Sequence, residues 1–328
     1  MSLIRARPNT FVVILCLMIA LPIVTRNAVS TDSAALLGIY SLLALSVGLS
    51  YGQAGVLTMS QGAFASLGAY AAAISTTKFG VPPFVDILPA IAVPALVAFA
   101  VARLVTRLSP LATALLTLSI GSVIAIAIRS AEGITGGYMG LAGIPGLGPI
   151  STPAAYAWLA WAMVAATVLF YENLVHSAYG RALNVLRHDH ARAMADGVDP
   201  PSLISAAFAI SAAIAGAAGW LYAHYISFIS PESLDTHLSI TALLMAVIGG
   251  AEFVLGPILG TLVLDSLTRL LPAAELQGCY YGAVLIAILL LARRGLLGLA
   301  QTAIARLRAT GNAASESVVT LSAEGSRP

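Results

Sequence analysis

The chain has 328 residues, of which 59% are hydrophobic and only 9% charged, with a formal net charge of +2 and a mean hydropathy of +0.93. Soluble domains carry about 25% charged residues, so this chain has too little polar surface to cover a globule in water, and its main solvent is lipid. The near-neutral charge gives no case for a nucleic-acid partner, and the two cysteines, Cys16 and Cys279, sit inside apolar runs rather than in a disulfide framework.

Apolar runs near 20 residues recur, the length a helix needs to cross the hydrocarbon core. They are rich in Leu, Ala, Ile and Val and do not alternate as barrel strands do. The expected fold is therefore an all-α polytopic membrane protein, a bundle of about ten transmembrane helices (roughly eight to ten), some broken or re-entrant. Residues 1–10, with Arg5 and Arg7, form the amino terminus, residues 11–294 the membrane domain, and 295–328 a Ser/Ala/Glu-rich tail expected to be disordered.

In chain order, run 11–24 reads either as a cleaved signal peptide or as a first membrane helix; the helix is favoured because many more spans follow. Run 34–50 comes next, then YGQAGVLTMSQG, polar and glycine-containing, which predicts a broken helix or re-entrant turn before run 63–77. Lys78 to Asp86 is an exposed turn, and runs 87–105 and 111–128 flank Arg103 and Arg107. A Gly/Pro-rich loop, TGGYMGLAGIPGLGP, precedes run 154–171. The longest polar interruption then follows, HSAYGRALNVLRHDHARAMADGVDPP, within a loop at 172–202. Runs 203–225, 238–251, 258–271 and 279–292 complete the pattern.

With the amino terminus inside, twelve arginines (5, 7, 103, 107, 181, 187, 192, 293, 294, 306, 308 and 327) face the cytoplasm, against Arg26, Lys78, Arg129 and Arg269 outside. That bias orients the chain. It places both termini and loop 172–202 in the cytoplasm and the TGG loop outside.

In the cytoplasmic loop Ala182, Leu183, Leu186, Ala193 and Met194 follow helical spacing between Arg181, Asn184, Arg187 and His188, which predicts one short amphipathic helix. It can lie on the membrane interface or enter a groove on a cytoplasmic partner. Lys78 is the only lysine and stands in TTKFG, so the Gly-Lys-Ser/Thr of a P-loop is missing. Gly48-Leu49-Ser50-Tyr51-Gly52 spells G-x-S-x-G but lacks the strand-turn-helix setting and partners of a nucleophile elbow. His188 and His190 point apart on a helix and form no metal motif. Asp265 must face protein or water; it reads as an interior hydrogen bond with Arg269, or alternatively as a proton-relay group. Small residues every four positions, at Ala65, Ala69 and Ala73 and at Ser211, Ala215 and Gly219, suit close helix packing and equally a lined path.

Four ordered blocks together resemble the branched-chain amino-acid ABC-transporter permeases of the LivM-like branch: SVGLSYGQAGVLTMSQGAFASLGAYAAA, ITGGYMGLAGIP, the block from YGRALNVLRHDHARAMADGVDPP to ISPESL, and LSITALLMAVIGGAEFVLGPILGTLVL. The resemblance spans about residues 34–294 and departs from the usual pattern at His188–His190, Asp196 and Ala251-Glu252-Phe253. It implies an inner-membrane permease subunit of an ABC importer for branched-chain or other hydrophobic amino acids, with no catalytic, metal or cofactor site of its own. ATP would be bound by two cytoplasmic ATPase subunits, alongside a sister permease in a heterodimer and a periplasmic or extracellular substrate-binding protein. By position, Gly180, Arg181, Ala182, Leu183, Arg187 and Gly197 fall in the ATPase-coupling loop. Gln53, Ser60, Gln61 and Tyr70 are candidates for the translocation path, and Thr135, Gly136 and Gly137 for the external loop. The alternatives are a permease of the same family for urea, short amides or aromatic acids, and an ion-coupled secondary transporter relying on Asp265.

Overall fold

The computed structural model describes residues 31–106, 108–148, 150–270, 282 and 295–299. The expected runs 11–24 and 279–292, both cysteines, the Arg269 side chain and the tail from residue 300 lie outside the described residues.

Helix α1 (Thr31–Val47) continues into one π-helical turn, Gly48–Gln53, and the chain doubles back into α2 (Gln61–Phe79). Next come α3 (Ile87–Val105), α4 (Pro110–Ser130), the short α5 (Glu132–Thr135), a 3-10 turn at Gly137–Met139 and strand β1 (Leu141–Ala142). They are followed by α6 (Pro153–His176), α7 (Ala178–His188), α8 (His190–Ala195), α9 (Pro200–Ile226), β2 (Phe228–Ile229), α10 (Thr236–Gly249) and α11 (Gly256–Leu270). The two strands pair antiparallel, Leu141 opposite Ile229. Helix starts follow local chemistry: Ser109 and Thr152 cap α4 and α6 just ahead of a proline, where the missing N–H costs nothing.

Among the described residues five helices are long and apolar enough to cross a membrane: Asp32–Gln53, Ile87–Leu104, Pro110–Ser130, Pro153–His176 and Pro200–Ile226. The expected count of about ten spans is not confirmed among the described residues. Two expected runs lie outside the described residues, and α2 is less apolar than the others. Helices α10 and α11 have 14 and 15 residues, about 21–23 Å at helical rise against a core of about 30 Å. The first is a partial span; α11 runs to the edge of the described residues. The break anticipated in YGQAGVLTMSQG is present, as the π-turn and the return at residues 54–60.

Helix α9 is the central post, packed against α2 and α3. Contact is close because glycine permits it: a Cβ on Gly219 would sit 1.9 Å from the Ala65 carbonyl oxygen, and one on Gly216 would sit 2.2 Å from that of Ala90. The small-residue spacing read from the sequence therefore serves packing here, with Ala65, Ala69, Ala73, Ser211 and Ala215 all buried. Phe64 and Phe208 meet edge to face with centroids 5.5 Å apart in the same seam. Large apolar side chains stay exposed on the outer faces of α3, α4 and α6, including Leu96, Leu111, Val123 and Phe170. An apolar solvent is what such faces require.

Candidate functional site

The charged segment after α6 folds as a helical hairpin rather than the single expected helix. Asp189 is extended and its carboxylate accepts from the Arg192 amide, ending α7 and capping α8. Met194 is consequently exposed, while Ala193 is buried. The amphipathic pattern holds within α7: Gly180, Leu183 and Leu186 face inward and Arg181, Asn184 and His188 outward. Of the six coupling-loop candidates, Arg181 and Gly197 lie on the surface and Ala182 is half-buried. Gly180 and Leu183 are packing residues; a Cβ on Gly180 would come within 2.3 Å of the Leu174 carbonyl oxygen. Gly197 holds φ +80° with nothing near it, a left-handed turn that glycine adopts without strain. Tyr179 donates to the Leu203 carbonyl at 2.8 Å, tying α7 to the first turns of α9. Burial pushes its phenol up to about 12, so the donor proton stays in place at neutral pH.

Arg187 turns away from the exposed face. Its guanidinium donates to the Gly52 carbonyl at the end of the π-turn and forms an ion pair at 2.9 Å with Glu252, in the turn between α10 and α11. Its aliphatic stem lies over Gly55, where a Cβ would stand 3.2 Å from Cγ. Gln53 joins the same junction by donating from Nε2 to the Glu252 carbonyl at 3.2 Å. One residue of the polar hairpin thus holds both chain reversals at this end of the bundle.

Deeper in, Gln61 at the start of α2 is fully buried and is the hub of a hydroxyl network. Its Nε2 donates to Ser211 Oγ at 2.8 Å and approaches Ser50 Oγ at 3.4 Å, while its Oε1 lies 3.2 Å from Ser46 Oγ. Ser211 donates in turn to the Ser46 carbonyl at 2.7 Å. Ser60 pairs with Thr58 at 3.0 Å. Ser211 is close to the midpoint of the 27-residue α9, so α2 begins halfway along the bundle. Helix α10 begins there as well, because the Gly62 amide donates to Ser239 Oγ at 2.9 Å. The path candidates Gln53, Ser60 and Gln61 are therefore joined internally, whereas the buried Tyr70 hydroxyl has no partner.

At the opposite end the Thr135 hydroxyl donates to the Ile128 carbonyl at 2.6 Å and accepts from the Gly137 amide at 3.2 Å. Gly136 and Gly137 take φ of +75° and +58°, which lets the turn fold back on itself. Tyr138 and Met139 project outward, with Arg129 over the Tyr138 ring at 5.6 Å. Beneath this loop lies a cluster that the sequence reading missed. Asp86 is fully buried and accepts from Trp220 Nε1 at 2.7 Å, and its other oxygen is 2.8 Å from His224 Nε2. His224 Nδ1 is 2.8 Å from the Pro145 carbonyl oxygen. A carbonyl only accepts, so Nδ1 carries a proton, and the short contact to Asp86 then needs one further shared proton. The pair is neutral overall in either microstate. Only the i, i+4 spacing of Trp220 and His224 was visible in the sequence; nothing there pointed to Asp86, 134 residues before Trp220.

Asp265 is half-buried on α11 and engaged in an interaction. Among the described residues no group of three or more His, Cys, Asp or Glu side chains is placed to hold a metal ion.

A family model described as the permease component of the branched-chain amino acid transport system matches residues 29–292. The chain is 30% identical over 282 residues to the Escherichia coli K12 high-affinity branched-chain amino acid transport system permease protein LivM, covering 77% of this chain and 66% of that protein. It is 29% identical over 248 residues to the Salmonella typhimurium LivM protein, covering 67% of this chain and 58% of the relative. The match thus spans under two thirds of each relative's own length. The Escherichia coli K12 permease protein LivH is 29% identical over 154 residues, 45% of this chain and 48% of that protein. No solved structure matches the chain significantly.

Proposed function

The chain belongs to the family of branched-chain amino acid transport system permease components, and from that premise we propose that it is the membrane-spanning subunit of an ABC importer moving branched-chain or other hydrophobic amino acids inward. The observation that carries this reading is Arg187, which links an exposed charged hairpin to the Gly52 reversal and the Glu252 turn. A chain without Gly-Lys-Ser/Thr holds no Walker-type ATP site, so ATP-driven transport through it needs ATPase subunits beside it. The outward face of α7 and α8, with Arg181, Asn184, His188 and Arg192, supplies a surface for an ATPase groove.

The mechanism follows from those ties. ATP-driven closure of two ATPase subunits pushes on α7, and because Arg187 holds both chain reversals, α1 with its π-turn and the α10–α11 pair move with it. The starts of α2 and α10, halfway along the bundle, then separate or close, which alternates access to the path. A π-turn is a local weakness in a helix and a reasonable place for such bending. A sister permease completes the translocation unit, and a substrate-binding protein docks at the end bearing Thr135, Gly136 and Gly137, on the outer face of an inner membrane with both termini in the cytoplasm.

The test is reconstitution of the chain with its sister permease, ATPases and binding protein in liposomes. ATP-dependent uptake of L-leucine is expected. Uptake by the chain alone, driven by an ion gradient and indifferent to ATP, would overturn the reading; uptake of urea or short amides in place of L-leucine would overturn the substrate.

A further inference from the structure

The path candidates marked by sequence have mostly spent their hydrogen bonds inside the fold, so the contact point for the transported molecule has to be sought elsewhere. Beside the meeting point of α2 and α10 lies a cavity between α2, α4 and the segment leading into α10. Its polar lining is Ser66, Asp235 and Thr236; Ile124 and Leu234 contribute apolar wall, and Gly121 leaves space on the α4 side. Its cavity volume is about 10 Å³, roughly the space of one water molecule.

Ser66 is what makes this cavity more than a packing gap. Three other hydroxyls on α2, those of Ser75, Thr76 and Thr77, donate to the carbonyl four residues earlier. Ser66 does not; its oxygen is buried and without a partner. Such an orphan is costly unless a ligand engages it. One helical turn on, at the same face of α2, Tyr70 carries a second buried hydroxyl with no partner. Asp235 adds a carboxylate. Its Oδ1 caps the Leu238 amide at 3.2 Å, and among the described residues no cation pairs with it. Directly behind it α10 starts, where a helix leaves its first N–H groups without intrahelical acceptors and carries partial positive charge; the Leu238 amide is taken by Asp235, which leaves those of Thr236 and His237.

A carboxylate and a helix N-terminus side by side, with a free hydroxyl opposite and aliphatic walls between, is a combination that fits a zwitterion. We propose that the Ser66–Asp235 cavity is a contact station for an α-amino acid crossing the bundle: Asp235 takes the ammonium, the start of α10 takes the carboxylate, and Ser66 bridges to either head. This rests on the transport reading above. The cavity is narrow in this conformation, so occupancy requires α4 to swing away from α2. Helix α4 is the less buried wall of the cavity, held to the return before α2 by the Met59 amide donating to Thr117 Oγ1 at 3.1 Å.

The experiment uses the complete transporter in liposomes, with Cys16 and Cys279 replaced by serine and Ser66→Cys introduced. The rate of maleimide reaction at the introduced thiol is measured during ATP turnover, with and without L-leucine. Protection by L-leucine of threefold or more, on the order of the occupancy at a few times Kd, is the expected result. In parallel, Asp235→Asn keeps the helix cap, because asparagine caps as well as aspartate, but removes the charge. Uptake is expected to fall about tenfold or more, the factor for one lost charged hydrogen bond, with assembly unchanged by co-purification. An unprotected thiol together with wild-type uptake in Asp235→Asn overturns this inference alone. A wild-type complex that imports no L-leucine overturns the transport reading, and this inference with it.

Discussion

Arg187 Nη2 stands 2.9 Å from Glu252 Oε1, joining residues 65 positions apart in the chain, and the same guanidinium reaches the Gly52 carbonyl. Both side chains are partly open to solvent, at 23% and 44%, so the pair contributes about 0–1 kcal/mol to stability. Its value is geometric. Glu252→Arg is therefore expected to leave folding and assembly nearly unchanged while cutting ATP-dependent uptake, because the hairpin loses its hold on the α10–α11 turn. The exchanged pair Arg187→Glu with Glu252→Arg should recover part of that uptake. Recovery in a proteoliposome assay checks the point; wild-type uptake in Glu252→Arg with uptake lost in the double variant would show that only the Gly52 contact matters.

Gly219 and Gly133 set a contrast within one residue type. A methyl group at Gly219 would run into the Ala65 carbonyl at 1.9 Å, whereas one at Gly133 meets nothing within 4 Å. Overpacking a tight seam costs about 1–3 kcal/mol and sometimes more. Gly219→Ala should lower the thermal midpoint of the detergent-purified protein markedly or abolish its accumulation. Gly133→Ala should behave as wild type in the same scan.

The lipid solvent, the helical class and the break near Gly52 were legible in the sequence because composition and local periodicity report them directly. The number of spans was not, since hydropathy cannot tell a full span from the 14-residue α10, whose start is fixed by Gly62 and Ser239 meeting across 177 residues. The polar hairpin was legible as amphipathic, but its fold into two helices hangs on the single backbone conformation of Asp189. Arg187 was legible as a charge in a cytoplasmic loop and illegible as an inward tie, because Glu252 and Gly52 are distant in sequence. Asp86 was hidden for the same reason: a lone carboxylate before an apolar run looks like a solvated turn until His224 and Trp220 are brought to it.

Asp86 and His224 are each fully buried. Removing one partner of such a pair strands the other in a medium that solvates it poorly, at a cost of about 3–5 kcal/mol. Asp86→Ala is expected to loosen the TGG loop as well, since His224 also holds the Pro145 carbonyl. Limited proteolysis of the detergent-purified protein should show faster cleavage between β1 and α6 in Asp86→Ala than in wild type. The double variant Asp86→Leu with His224→Phe should regain much of the thermal stability, because an apolar pair leaves no buried charge. Stability lost equally in single and double variants would mean that the Trp220 bond, not the ion pair, carries the load.

Gln61 offers the sharpest separation of structure from transport. Its amide is bonded to Ser211 and in contact with Ser46 and Ser50, hydroxyls on two other segments. Gln61→Leu keeps the volume but leaves the network without its centre. Ser46 and Ser211 fall back on the Leu43 and Ser46 carbonyls they already address at 2.6 and 2.7 Å. The loss should therefore sit near the low end of the 1–3 kcal/mol for an unsatisfied buried group, about 1 kcal/mol. Gln61→Glu keeps the shape and the Oε1 acceptor but puts a second acceptor oxygen in place of the Nε2 donor. Ionised, it places an unpaired charge halfway along the bundle, where the penalty is larger. The expected order of thermal midpoints in detergent is wild type, then Gln61→Leu, then Gln61→Glu. If Gln61 were instead a contact on the transport path, Gln61→Leu would match wild type in stability and lose uptake alone, and the two assays on the same purified variant distinguish the outcomes.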